Sequence, residues 1–275
     1  METSNTDLLD RKDAPSYLTE SEPFILTSYR KRSNFLQCLS SIFKLHNETL
    51  NIWSHLLGAA YMAILTKRRW QSNASSHTGL RRVPPMLVGT AGTILFLASA
   101  NAHTFACHSK KTCKCCFAVD KSMISYFLLG CAISSSIVFF RRPTQRLTRN
   151  VFITAATASS TFAALQISGV LKKTSKIMKV LILASQAVTG LVPPVLEYIT
   201  SQRSDVKKLI FEKASLASIL AVIGASFYTS YFPEKKFPKT FDVYGNSHTI
   251  MHIFVVGSAH VAFHGFSAAV DLVLR

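Results

Sequence analysis

Residues Pro84 to Ala106 read PPMLVGTAGTILFLASANAHTFA, a run without a single Asp, Glu, Lys or Arg. An α-helix rises ~1.5 Å per residue and needs about 20 mostly apolar residues to cross the hydrocarbon core of a bilayer. This run meets that requirement. Working outward from it, six further stretches have comparable length and character: 48–66, 117–140, 151–171, 177–200, 209–232 and 246–272. The connections between them carry short basic clusters, Lys67-Arg68-Arg69 with Arg81-Arg82, Lys110-Lys111, Arg141-Arg142, Lys172-Lys173, Lys207-Lys208 and Lys235-Lys236. The expected fold is therefore all-α and polytopic, with seven transmembrane helices. The first stretch is the least apolar, because Glu48, Asn51 and His55 occupy its opening turns. Six spans is the alternative count.

Composition agrees with this class. The 275 residues hold 31 Lys+Arg against 14 Asp+Glu, a formal charge of +17. An excess of that size would suit a nucleic-acid-binding surface. Only 16% of residues are charged, however, against roughly 25% in a soluble domain, while 48% are hydrophobic and the mean hydropathy is +0.25. With 11 Gly and 9 Pro, the chain is neither collagen-like nor low-complexity. The excess charge sits in loop clusters, where it suits lipid headgroups. Nucleic acid is not an expected partner; the lipid bilayer is.

The N-terminal region divides in two. Residues 1–23 are polar and acidic (Glu2, Asp7, Asp10, Asp13, Glu20, Glu22) and lack an apolar core, so no cleavable signal peptide is expected. Residues 24–46 form a juxtamembrane segment. There Phe35, Leu36, Leu39, Ile42 and Phe43 recur at helical spacing, which predicts a short amphipathic helix in the interface. A juxtamembrane segment with no special role is the plainer reading. Residues 47–275 make up the transmembrane domain. Lys/Arg bias normally orients such a domain, but here basic residues divide almost evenly between the two sides. An Asn73-Ala74-Ser75 sequon lies in the first loop, and another, Asn47-Glu48-Thr49, at the edge of the first span. Glycosylation at Asn73 would place that loop in the lumen and the N-terminus in the cytosol.

Ionisable side chains inside a membrane are expensive, and each one needs an explanation. Ser99 and His103 lie four apart near the end of the second span, on one helix face. Asp120 opens the third span, and His248 and His252, again four apart, open the seventh. Counting crossings, the chain leaves the second span and enters the third and seventh on the same side of the membrane. The three histidines and Asp120 are therefore expected at similar depth in one leaflet. Three imidazoles and a carboxylate suit Zn²⁺, and a three-His site leaves a fourth position for water, as catalytic zinc sites do. The competing reading makes each histidine a hydrogen-bonder between helices. His260 and His264 extend the same stripe, but His264 is about 18 Å from His252 along the axis. They are expected to be interhelical or to face a cavity, as is His55. Glu197 is expected to be buried or cavity-facing.

Six cysteines remain, Cys38, Cys107, Cys113, Cys115, Cys116 and Cys131. In a cytosolic loop their thiols would be reduced. Cys113, Cys115 and Cys116, beside Lys110, Lys111 and Lys114, are candidates for S-palmitoylation. A second zinc site with His108 and unmodified thiols are the alternatives.

Four motifs in chain order carry a resemblance. Asn47-Glu48-Thr49-Leu50-Asn51-Ile52-Trp53-Ser54-His55-Leu56-Leu57-Gly58 resembles the NETxNIWSHLLG signature of the progestin and adipoQ receptor family, related to the hemolysin III proteins. Ser99 and His103 followed by Cys107-His108-Ser109 resemble its SxxxHxxxCHS segment. Asp120 to Ser125 is similar to its DYxGIS, and Ser247-His248 with His252 to its SHxxxH. Together they cover residue 24 to the C-terminus. The chain departs from the pattern at Lys121 (usually Tyr), Met123 (Gly), Leu196 (His) and Ser28 in an entry motif that often begins with Gly. None of these removes a ligand, but they bear on the subgroup.

The resemblance implies a seven-helix protein of the plasma membrane or the Golgi and other endomembranes, with a cytosolic N-terminus. It implies zinc near the cytosolic leaflet, held by His103, His248 and His252, with Asp120 binding through a water and Ser99 supporting it. A receptor for a lipophilic or protein ligand is the first functional expectation. The alternatives are a zinc-dependent, ceramidase-like lipid amide hydrolase and a scaffold. In the hydrolase, Asp120 would take or orient a proton and Ser99 would steady the oxyanion. The scaffold would recruit a cytosolic signalling protein through the N-terminal tail.

Overall fold

Hydrogen-bonding side chains and glycines set where the helices begin and end. A computed structural model describes residues 8–20, 22–72, 81–171 and 174–274. In chain order the helices are α1 (Ser16–Thr19), α2 (Phe35–Ser40), α3 (Thr49–Ser72), α4 (Val83–Phe105), α5 (Lys110–Phe139), α6 (Arg146–Ser168), α7 (Lys176–Thr200), α8 (Ser204–Ser230) and α9 (Ser247–Val273). Two short strands, β1 (Leu8–Leu9) and β2 (Tyr29–Arg30), pair antiparallel ahead of the bundle. Ser109, Ser175 and Asn246 accept from the backbone N–H three residues on and so cap α5, α7 and α9. Pro84 and Pro85 sit in the first turn of α4, where no N–H is missed. Gly169 ends α6 at φ +82°, a left-handed position that glycine takes without a Cβ clash.

Among the described residues, seven helices exceed twenty residues, and α4 to α9 are each long and apolar enough to cross a membrane. The seventh, α3, is 24 residues long, about 36 Å. It is the most dilute in apolar character, as Asn51 and His55 foretold. Helix α5 begins seven residues before the expected start at 117, because the Ser109 cap draws Lys110–Cys116 into its first turns. The sequon at Asn73 lies outside the described residues.

Helix α9 contacts α3, α4, α5 and α8, and α5 contacts α4, α6, α7 and α9. Ala259 and Phe263 of α9 meet Ala59 and Met62 of α3, Val88, Leu95 and Phe96 of α4, and Phe127 of α5 in the main core. A second cluster joins Val138 and Phe139 of α5, Val206 and Ile210 of α8, and Ala269, Val270 and Val273 of α9. The outer faces are apolar too. Along α7, Ile177, Leu181, Val188, Val192, Val195 and Ile199 are all exposed, a stripe that water would penalise and lipid accepts. Helix α2 has the predicted amphipathic form, with Cys38 buried and Phe35, Leu36 and Leu39 exposed.

Gly89 lets α4 approach α3. A Cβ there would lie 2.0 Å from Thr66 Oγ1 and 3.0 Å from the Phe263 ring. Thr66 cannot swing aside freely, since its hydroxyl donates to the Met62 carbonyl at 2.7 Å. Gly89→Ala is therefore expected to destabilise the protein by roughly 1–3 kcal/mol, the usual cost of overpacking. Thermal melting of the detergent-purified protein checks this, and adding Thr66→Ala should restore part of the loss.

Candidate metal centre

The last turn of α4 and the first two turns of α9 meet at one end of the bundle. One ring nitrogen from each of His103, His248 and His252 lies within 4.8 Å of the others. Ring centroids are 5.1 Å apart for His103–His248 and His103–His252, and 4.7 Å for His248–His252. The three histidines expected at one depth thus come together; Asp120 is not one of the group. The i,i+4 spacing keeps His248 and His252 on one face, and the Asn246 cap fixes where that face begins.

Each imidazole is held through Nδ1. His103 Nδ1 is 2.7 Å from Glu48 Oε2, which also accepts from Asn51 Nδ2 at 2.7 Å. His248 Nδ1 is 2.9 Å from Glu22 Oε1, and His252 Nδ1 is 3.2 Å from Ser54 Oγ. A histidine that donates Nδ1–H to a carboxylate presents Nε2 as a lone pair, the form that ligates metals. His103 is 2% exposed, and its Nε2 is buried with no hydrogen-bond partner. Such an orphan acceptor is costly unless something occupies the space before it. The donor set therefore fits a metal ion. Asp120 lies on α5 three residues beyond Phe117, whose ring meets that of His103.

Several supporting residues carry no metal-ligand signal in the sequence. His55 stacks on His252 with centroids 3.6 Å apart and planes 9° from parallel. Phe117 meets the His103 ring edge-on at 5.1 Å. Buried Arg30 donates to the carbonyls of His103 (2.5 Å) and Thr104 (2.9 Å), capping the end of α4. Burial and the Arg30 charge push the His46 imidazole down to about 3. Kept neutral, it accepts the Glu48 N–H at Nδ1 and fixes the turn that presents Glu48. Glu22 arrives on the N-terminal strap. That strap is fastened where Asp242 Oδ2 accepts from Leu26 N, Thr27 N and Thr27 Oγ1, and where Arg11 donates to the carbonyls of Thr19 and Glu22.

The remaining candidates lie apart from the centre. His260 is interhelical, 2.6 Å from Tyr61 Oη, and beside His264. Glu197 is buried and pairs with Arg141 at 3.2 Å. Cys115 is exposed and Cys116 half-buried. Cys113 is buried, its Sγ 3.9 Å from the Tyr17 carbonyl, so acylation would have to draw it out of its packing.

The family model described as haemolysin-III related matches residues 43–263. The chain is 26% identical over 265 residues to heptahelical transmembrane protein 1 of Arabidopsis thaliana, covering 91% of this chain and 77% of that protein. It is 29% identical over 246 residues to progestin and adipoQ receptor family member 3 of Mus musculus, covering 86% and 78%. It is 27% identical over 260 residues to membrane progestin receptor gamma of Mus musculus, covering 87% and 75%.

Partners of the distal ring nitrogen typically govern metal affinity by about 10- to 100-fold. Glu48→Ala and Glu22→Ala are each expected to weaken metal binding by that factor, measured by competition with a chromogenic chelator. Glu22→Gln, which keeps an acceptor oxygen for His248, should lose less.

Proposed function

The chain belongs to the haemolysin-III-related family, and we propose that it is a seven-helix membrane receptor or signalling protein of the progestin and adipoQ receptor type, built around a zinc centre. The relatives named as receptors support the signalling role. The observation that carries the zinc reading is the buried, unpartnered Nε2 of His103 facing His248 and His252. In this reading His103, His248 and His252 hold the ion directly, and Asp120 reaches it through a water. Zinc, when bound, supplies a fixed positive charge and Lewis-acid polarisation. Glu48 and Glu22 keep His103 and His248 in the Nδ1–H tautomer, His55 buttresses the His252 ring, and Arg30 holds the end of α4 in register with α9. The centre would lie near the cytosolic leaflet with the N-terminal strap over it. A ligand that moves α4 against α9 would therefore disturb the strap as well.

A lipid amide hydrolase is the second reading, favoured by buried Ser99 one turn before His103 on α4, with Asp120 on the neighbouring α5. There the Asp120 carboxylate would accept the proton of an attacking water. Ser99 would orient that carboxylate and release its hydroxyl to the developing oxyanion. If so, purified protein releases fatty acid from ceramide, and Asp120→Asn lowers turnover by about 10²- to 10⁴-fold while zinc stays bound.

Metal content tests the main reading. Wild-type protein is expected to hold about one zinc per chain, and His103→Ala and His248→Ala to hold none. Unchanged zinc in either variant would sink the assignment.

A further inference from the structure

The end of the bundle opposite the histidine triad holds a cavity of about 220 Å³, lined by Arg81, Ile137, Arg141, Arg149 and Leu274. It sits where four helices start or stop. Arg81 precedes α4 by two residues, and Arg141 follows α5 by two. Arg149 is in the first turn of α6, and Leu274 directly follows α9. All three arginines thus lie within one turn of a helix end, at the depth of lipid headgroups and water rather than of acyl chains.

The chain supplies these arginines with too little negative charge. Four acidic side chains belong to this end of the molecule, Glu197, Asp205, Glu212 and Asp271. Each is already engaged: Asp271 with Arg69, Asp205 with Arg203, Glu212 with Lys208, and Glu197 with Arg141 Nη2 at 3.2 Å. Residues 73–80, ahead of Arg81, contain no acid. Among the described residues Arg81 and Arg149 have no ion-pair or hydrogen-bond partner, and Nη1 of Arg141 is buried without one. A guanidinium stays charged at any physiological pH. The cavity therefore presents two uncompensated positive charges and a spare donor from a third arginine. Like charges brought together repel, and the apolar wall of Ile137 and Leu274 weakens the screening that water would give.

Charge, shape and size point to one class of counter-ion. A carboxylate would bring a single negative charge. A phosphate monoester brings about −1.5 to −2 at neutral pH, with three oxygens to accept hydrogen bonds. The planar fork of arginine matches those oxygens two at a time. A volume of about 220 Å³ equals roughly seven waters' share of the liquid, ample for one phosphate group.

We propose that Arg81, Arg141 and Arg149 form an oxyanion site for a phosphate group, carried by a phospholipid or free in solution, at the end of the bundle opposite the histidine triad. The site is independent of the zinc reading.

Two probes test it on the full detergent-purified chain. Inorganic phosphate is titrated against chloride at matched ionic strength while thermal melting is followed. Dioleoyl phosphatidic acid is compared with dioleoyl phosphatidylcholine by native mass spectrometry. A phosphate-specific rise in melting temperature identifies a free anion. Retention of phosphatidic acid over phosphatidylcholine without that rise identifies a lipid headgroup, and either result supports the site. Arg81→Gln with Arg149→Gln is expected to weaken the probe that binds by about tenfold or more, with helicity unchanged. Arg81→Lys with Arg149→Lys, which keeps the charge and loses the fork, is expected to fall between. Phenylglyoxal, which modifies accessible guanidinium groups, covers the case in which the double variant does not fold. On wild type the bound probe is expected to slow modification of Arg81 and Arg149 severalfold and to leave exposed Arg142 unaffected. The proposal is overturned if neither probe binds the wild type, if the folded glutamine variant binds undiminished, or if Arg142 is protected as much as Arg81 and Arg149.

Discussion

The burial of one imidazole organises this end of the molecule. His103 sits at the last turn of α4, out of contact with solvent, with a carboxylate on one ring nitrogen and two further histidines before the other. A polar ring in such a place is tolerated only if both nitrogens are answered. Answering Nδ1 requires Glu48, and presenting Glu48 requires the turn that His46 and Thr49 build before α3. Nε2 has no partner within the chain, and the Asn246 cap starts α9 so that His248 and His252 face it. One side chain's Nδ1 bond thus ties α3 to the end of α4, while its other nitrogen is turned to α9.

Elsewhere the bilayer decides. Without water, backbone groups must pair inside each segment, which leaves helices as the spanning elements. Lipid does not drive helices together as water would, so close packing must do so, and small residues mark where it happens. Gly89 and Gly92 bring α4 onto α3, and Gly58 brings α3 onto α4 and α9. The outward faces of α7 and α8 can then be apolar without penalty. That explains how a chain with 48% hydrophobic residues leaves so many of them exposed.

Much of this was legible in the sequence for a physical reason. Spanning helices are set by length and apolarity, both local properties, and histidines four apart share a face in any helix. Counting crossings then fixed which helix ends share a leaflet, and His103, His248 and His252 followed. The supporting residues were not legible, because their roles arise only from tertiary placement. Glu48 read as a flaw in the first span, yet it is the hydrogen-bond partner of a candidate ligand. Glu22 read as one acid in a polar tail, and nothing local distinguishes it from Glu20. His55 carries no i,i+4 signal, since its stacking partner is on another helix. Helix α5 began early because a serine cap outweighs the falling hydropathy of the lysines that follow it.

The two carboxylates on the triad are held in different ways, and the difference has a consequence. Glu48 belongs to the turn that opens α3, so its position is tied to the bundle. Glu22 belongs to the N-terminal segment, which Asp242, Arg11 and buried Arg30 hold against the bundle. A bond between His248 and Glu22 therefore contributes to docking the strap as well as to orienting the ring. Such a coupling is reciprocal: whatever favours His248 in the Nδ1–H form favours the docked segment by the same free energy. Glu22 thus ties the N-terminal segment to α9, as Glu48 ties α3 to α4.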